Sequence, residues 1–277
     1  DFVFFKFIFD FLRSKINKFG IDMMGHMMQW VGGIALTLMT LWVLVQGFRI
    51  ITGRSRDSMM VLVTNMARAA LIVSVATTMG MFGTDLHRFL THDVKEEITQ
   101  VVTGSDESPE DQIDKSLAWM QVALSSIDAI QIMNDGELLE DKKRALFFIG
   151  MGTAGPAITA GAMLMLYEIA LALFIGFGPL FILCLLFEQT KQLFQRWLFY
   201  GLGTMFSMAV LAAMVSIALD MVVRVAATFW TTALVQEFIL KESMSDGMTS
   251  QAMQQGGMGL ILTALILTTP PMAAMFF

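Results

Sequence analysis

Four ionisable side chains stand within otherwise apolar runs of this 277-residue sequence: Arg68, Glu168, Asp220 and Arg224. A charge in such a setting is costly, and it is kept for pairing or for moving a proton or an ion. Asp220 and Arg224 are four residues apart with the acid first, the favourable order for an ion pair along one helix. They also lie toward the end of their run, where an arginine stem can carry its head to water. Arg68 and Glu168 can pair across helices. A relay would need a chain of such groups, and the sequence offers none, so pairing is the expected role of all four.

Other chemistry finds little support. His87 and His92 do not share a helical face and have no cysteine nearby, which makes a poor zinc site. The single cysteine, Cys184, sits in an apolar run and cannot form an internal disulfide. There is no His-Glu-x-x-His, no phosphate-binding Gly-x-x-x-x-Gly-Lys-Ser/Thr and no Gly-x-Ser-x-Gly. The glycine patterns GMGTAG and YGLG lie in apolar sequence and suit helix packing. The expectation is a chain that is no enzyme and needs no cofactor or metal, with any energy-consuming step supplied by a partner ATPase.

The elements that must carry these residues follow from composition. The sequence is 56% hydrophobic and 15% charged, with a mean hydropathy of +0.66 and 25 methionines. Soluble domains carry about 25% charged residues, so the expected class is an all-α integral membrane protein. From Asp85 to Arg144 there are fourteen acids against six bases, a net −8, which leaves the remainder of a −6 chain close to neutral. That segment is the aqueous part, and its sign argues against a nucleic-acid surface there. The sequence starts at Asp1 rather than Met and reads as a fragment.

Residues 1–24 mix phenylalanines with Lys6, Asp10, Arg13, Lys15 and Lys18, as an amphipathic helix lying on a bilayer does. Residues 25–84 form a hairpin of two spans. The first, 27–48, has no charge and reaches across ~30 Å of hydrocarbon; the second is 61–84, and an arginine-rich tight loop, 49–58, joins them. The central acidic region, 85–144, holds a helix with Ser108 as cap, Pro109 at its first position and Glu110 and Asp111 in its first turn. Asn134-Asp135-Gly136 ends that helix. Its apolar residues Ile113, Leu117, Trp119, Met120, Leu124 and Ile127 exceed one stripe and must be buried against the protein itself or a partner.

Residues 145–277 read as a half-embedded helix at 145–158, rich in glycine and containing Pro156, followed by three spans at about 160–187, 197–223 and 257–277. The total is about five transmembrane helices, with interfacial or half-embedded helices and the helical aqueous region added. The polar stretch 188–196 is a turn, or the end of one helix and the start of the next. No internal repeat is present, which weakens the competing class, a secondary transporter or permease, since transporters often place sites between repeated halves.

One combination carries more. A span containing Gly178-Pro179, a short polar turn and Leu-Phe-x-x-Trp ending at Trp197 resembles the TrbL-type polytopic inner-membrane component of type IV secretion systems, and the order of parts along the chain is similar to that family. The resemblance implies a multi-pass protein of the bacterial inner membrane. It implies an oligomeric channel or scaffold subunit that supports translocation of DNA or protein and assembly of a pilus. Partners implied are other inner-membrane subunits, pilin and minor pilin, an ATPase of the complex, further copies of itself, the lipid bilayer and, transiently, the DNA or protein cargo. It places the N-terminus and 85–144 in the periplasm and the loops 49–58 and 188–196 in the cytoplasm. Positive-inside counting agrees only for loop 49–58, because Lys142, Lys143, Arg144 and the N-terminal lysines would then be periplasmic.

Overall fold

The computed structural model describes residues 4–53, 59–79, 85, 88–89, 93, 97, 100–101, 104, 108–129, 136–235 and 245–276. Outside these lie residues 54–58 of the loop 49–58, much of the acidic region before Ser108, and Asn134-Asp135, so the expectations there concern undescribed residues. Among the described residues seven α-helices and no strand are found: α1 Phe4–Ile51, α2 Met59–Thr78, α3 Pro109–Ala129, α4 Gly136–Gly176, α5 Gly178–Leu183, α6 Lys191–Val235 and α7 Ser245–Ala274. Five of them, α1, α2, α4, α6 and α7, are long and apolar enough to cross a membrane. The chain is an all-α, multi-pass membrane protein.

Two expected breaks are not breaks. The aromatic and cationic N-terminal stretch runs into the first apolar run as one helix of 48 residues, because nothing between Gly20 and Trp30 interrupts the backbone ladder. Similarly, the half-embedded helix expected at 145–158 and the span expected from 160 belong to one helix, α4, which passes through Pro156. Pro156 cannot donate to the carbonyl of Gly152. That carbonyl instead meets α7, where a Cβ on Gly259 would overlap its oxygen. An approach this close suits a weak Cα–H···O contact and compensates in part for the lost bond. The break comes later: α4 ends at Gly176, and Gly178-Pro179 opens the short α5. The expected span 160–187 is therefore two helices with a turn between them.

The chain divides into two compact units, and three of the boundaries fall inside α1, α4 and α6. The first unit comprises Asp1–Leu12, Val94–Tyr167 and Phe206–Phe276. Its core takes Phe9 from α1, Ile113 and Leu117 from α3, Ala157, Ala160 and Leu164 from α4, and Leu262 and Ile266 from α7. From α6 come Leu211, Val215, Ala218 and Val222, spaced as one helical face. Ser108 caps α3, its Oγ accepting from the Asp111 N–H at 3.2 Å.

The second unit comprises Arg13–Asp93 and Glu168–Met205. Here α1 presents Met24, Met28, Val31, Leu38 and Trp42, spaced by three, four or seven residues along one helical face, to the faces of α2, α4, α5 and α6. The opposite face of α1, with Leu36, Leu44 and Phe48, is exposed, as a surface meeting lipid or another chain must be. Threonines within the spans, among them Thr64, Thr77, Thr204 and Thr263, donate their hydroxyls to carbonyls four residues back. No lone hydroxyl of this set is left to the hydrocarbon.

Backbone contact at the α4–α7 crossing sets a test. A Cβ on Gly152 would overlap the backbone of Gln255, and one on Gly259 that of Gly152, whereas one on Gly33 meets nothing. Gly152→Ala and Gly259→Ala should each destabilise the purified chain by about 1–3 kcal/mol. Gly33→Ala should stabilise it slightly, since alanine favours helix by up to about 1 kcal/mol. Thermal unfolding in detergent reads the three side by side.

Candidate functional site

Where α4 ends, three carbonyls lose their helical donors. Pro179 has no N–H for the carbonyl of Ile175, and the carbonyl of Phe174 is answered from another helix. Trp197, near the start of α6, donates its indole Nε1–H to Phe174 O at 3.0 Å. The same indole stacks on Phe174 with centroids 4.4 Å apart and on Phe181 at 5.7 Å, while Phe194 leans against it at 5.5 Å. Gly178 sits under the ring edge, its missing Cβ 3.4 Å from the indole, and Gly201 leaves room for the Phe174 ring. Gly178, Pro179 and Trp197 thus form one clamp that holds the α4–α5 break against α6.

From Cys184 the chain makes a 3-10 turn to Leu186. Thr190 then closes the connection, its hydroxyl donating to Cys184 O at 2.6 Å and its N–H to Phe187 O at 3.1 Å. The turn is therefore shorter than 188–196: α6 begins at Lys191, and Arg196 and Trp197 are already helical. Leu183 and Leu186 pack on α1 and α2, which fixes this connection to the first hairpin.

Nearly two helical turns before Phe174 lies the buried charge. Glu168 is 2% exposed, and its Oε1 accepts both Nε and Nη2 of Arg13, at 2.8 and 2.5 Å. Its other oxygen, Oε2, has no hydrogen-bond partner among the described residues. The expected partner, Arg68, is elsewhere. The reason is register: Arg13 belongs to the first third of α1, assigned to the membrane surface by its charge density, yet α1 continues unbroken and lays that third along α4. The contact of Gly20 with Ala172, where a Cβ would come within 3.1 Å, lets the two helices close on the pair. In the sequence Arg13 stands among other charges, and only its helical face sets it apart from them.

Arg68 is exposed and lines a cleft of about 460 Å³ with Trp42, Gln46 and Arg49 of α1, Asn65 of α2 and Glu188 and Gln189 of the turn. Asp220 and Arg224 form an exposed i, i+4 pair at 2.6 Å. The apolar face of α3 is in part already used. Ile113 and Leu117 are buried in the core of their own unit and Met120 packs against it, so these three are not free for a partner. Trp119 is half-buried, and the side chains of Leu124 and Ile127 lie outside the described residues. No group of three or more metal-ligating side chains occurs among the described residues.

The family described as TrbL/VirB6 plasmid conjugal transfer protein matches residues 39–269. The match takes in Arg68, Glu168, the whole clamp and the Asp220–Arg224 pair, and leaves Arg13 outside. No individually curated protein matches the chain.

The ion pair predicts a signed pattern. Arg13→Ala leaves a buried carboxylate without its cation and should cost about 3–5 kcal/mol, while replacing both partners by methionine should cost far less. Unfolding of the purified variants in detergent measures both. Equal losses would mean that packing around Arg13, and not the pair, holds α1 to α4.

Proposed function

Because the chain belongs to the TrbL/VirB6 family of plasmid conjugal transfer proteins, we propose that it is an inner-membrane channel or scaffold subunit of a type IV secretion system. In this reading it is not an enzyme. It assembles as a homo-oligomer beside other inner-membrane subunits, supports passage of DNA or protein, and contributes to building the pilus from pilin and minor pilin. Energy comes from the ATPase of the complex.

The observation that carries the reading is the clamp. The family match spans it, and it is made of the residues, Gly178, Pro179 and Trp197, whose spacing marks the resemblance. A second observation supports assembly. Only a small share of the apolar windows of α1 and α2, 11% and 17%, is buried within the chain. Such faces suit neighbouring copies as well as lipid, and where lipid offers no hydrophobic drive, association rests on shape and small residues. Gly32, Gly33 and Gly47 of α1 have open space around them, so a neighbouring helix can come close there. A solute carrier is the competing class; it would work through Glu168, which here is engaged by Arg13.

Trp197 separates the clamp's parts. Trp197→Phe keeps a ring for stacking and loses the Nε1–H bond, a loss of about 1 kcal/mol. Trp197→Ala removes both and should cost about 3–5 kcal/mol. Conjugal transfer should fall in the order wild type, Phe, Ala, with membrane levels of the protein checked in parallel. Tagged wild-type protein extracted in mild detergent should bring down an ATPase and pilin and run as a large oligomer. Recovery as a lone monomer, with a transport defect in Glu168→Gln, would overturn the reading in favour of a carrier.

A further inference from the structure

The cleft at the end of the first hairpin is polar where its surroundings are apolar. Gln46 and Arg49 of α1 share a face with Trp42, and Asn65 and Arg68 of α2 share a face with Ala69 and Ile72; residues 185–189 of the turn close the third side. Arg68 stands near the middle of α2, a helix with the length and apolarity of a span. Among the described residues, neither Arg49 nor Arg68 has a side-chain hydrogen bond or ion pair. Among the described residues the one carboxylate lining the cleft, Glu188, lies 3.7 Å from Lys191.

Arg68, inside an apolar helix, is costly without a counter-charge, and among the described residues neither it nor Arg49, in the last turn of α1, has one. An anion between them removes the cost. We propose that this cleft binds a phosphate-bearing anion, held by the guanidiniums of Arg49 and Arg68. The planar fork of arginine matches phosphate oxygens in pairs, and the side-chain amides of Gln46, Asn65 and Gln189 supply further N–H donors. The volume falls in the range of small-molecule sites. Trp42, Ile72 and Leu186 give the cleft an apolar wall, which suits the glycerol and acyl end of a phospholipid; the donors alone suit soluble phosphate equally. Glu188 opposes either, so the site carries its own brake on affinity.

The test uses the full chain in neutral detergent, with native mass spectrometry to count bound lipid and thermal unfolding to read stabilisation. The probes are dioleoylphosphatidylglycerol, inorganic phosphate, and dioleoylglycerol, which has the same chains and no phosphate. Saturable stabilisation by phosphatidylglycerol alone assigns the anion to a lipid headgroup, and stabilisation by both phosphate probes at similar concentration assigns it to a soluble phosphate. Arg49→Gln and Arg68→Gln should each weaken binding about 10-fold. Glu188→Gln should tighten it about 2-fold. Arg144→Gln, which removes an exposed arginine paired with Glu140, should change nothing. Where a glutamine variant does not fold, the lysine variant keeps the charge without the fork and should bind with intermediate strength. The proposal is overturned by no saturable response to either phosphate probe, by an equal response to dioleoylglycerol, by equal loss in Arg144→Gln, or by weaker binding in Glu188→Gln.

Discussion

A backbone carbonyl in a membrane must find a donor inside the protein, and one such carbonyl, that of Phe174, organises the second unit. Proline at 179 ends α4, and the groups set free have no water to turn to. Trp197 answers with the indole N–H and, in the same act, lays its ring across Phe174 and Phe181. The donor and the packing surface are one side chain. A phenylalanine there would stack and leave the carbonyl bare, and a histidine would donate and bury far less apolar area. The glycine at 201 is a consequence of that choice, since a Cβ there would overlap the Phe174 ring, while one at Gly178 would meet the Met79 thioether first and only touch the indole.

The clamp also explains why the buried ion pair is tolerable. With the C-terminal end of α4 fixed by Trp197, Glu168 is held at a set depth. α1 approaches α4 through Gly20 and Ala172 closely enough for Arg13 to place two donors on one carboxylate oxygen. An acid that is almost fully buried would otherwise be a liability of several kcal/mol. Here it ties the N-terminal third of α1 to α4, and it leaves Arg68 free of that duty. The unpaired state of Arg68 in the cleft thus follows from the partner that Glu168 has taken.

Much of the architecture was legible in the sequence. The five apolar runs and the cap at Ser108 follow from local rules of length and capping, while Gly178-Pro179 and Trp197 stand out together only through the family resemblance. What could not be read locally was continuity. A proline in a helix and a cluster of charges at its start are both signals to stop, and α4 and α1 override them for tertiary reasons: a glycine on α7 faces the carbonyl freed by Pro156, and a carboxylate on α4 faces Arg13. Neither partner is near in sequence. Locally, Arg68 is a possible partner for Glu168 because it stands alone in an apolar run, whereas the partner Glu168 has, Arg13, stands among other charges.

Arginine in a span is conspicuous because no neighbour shares its charge, and the reflex is to find it an acid within the chain. The second unit treats its charges differently: buried Glu168 is neutralised by Arg13, while exposed Arg49 and Arg68 line a polar recess whose one carboxylate among the described residues, Glu188, lies near Lys191. Two cations converging on one volume raise, and do not relieve, the local potential. A negative group entering the recess would lower that potential, and the sign of its lining selects an anion over a cation.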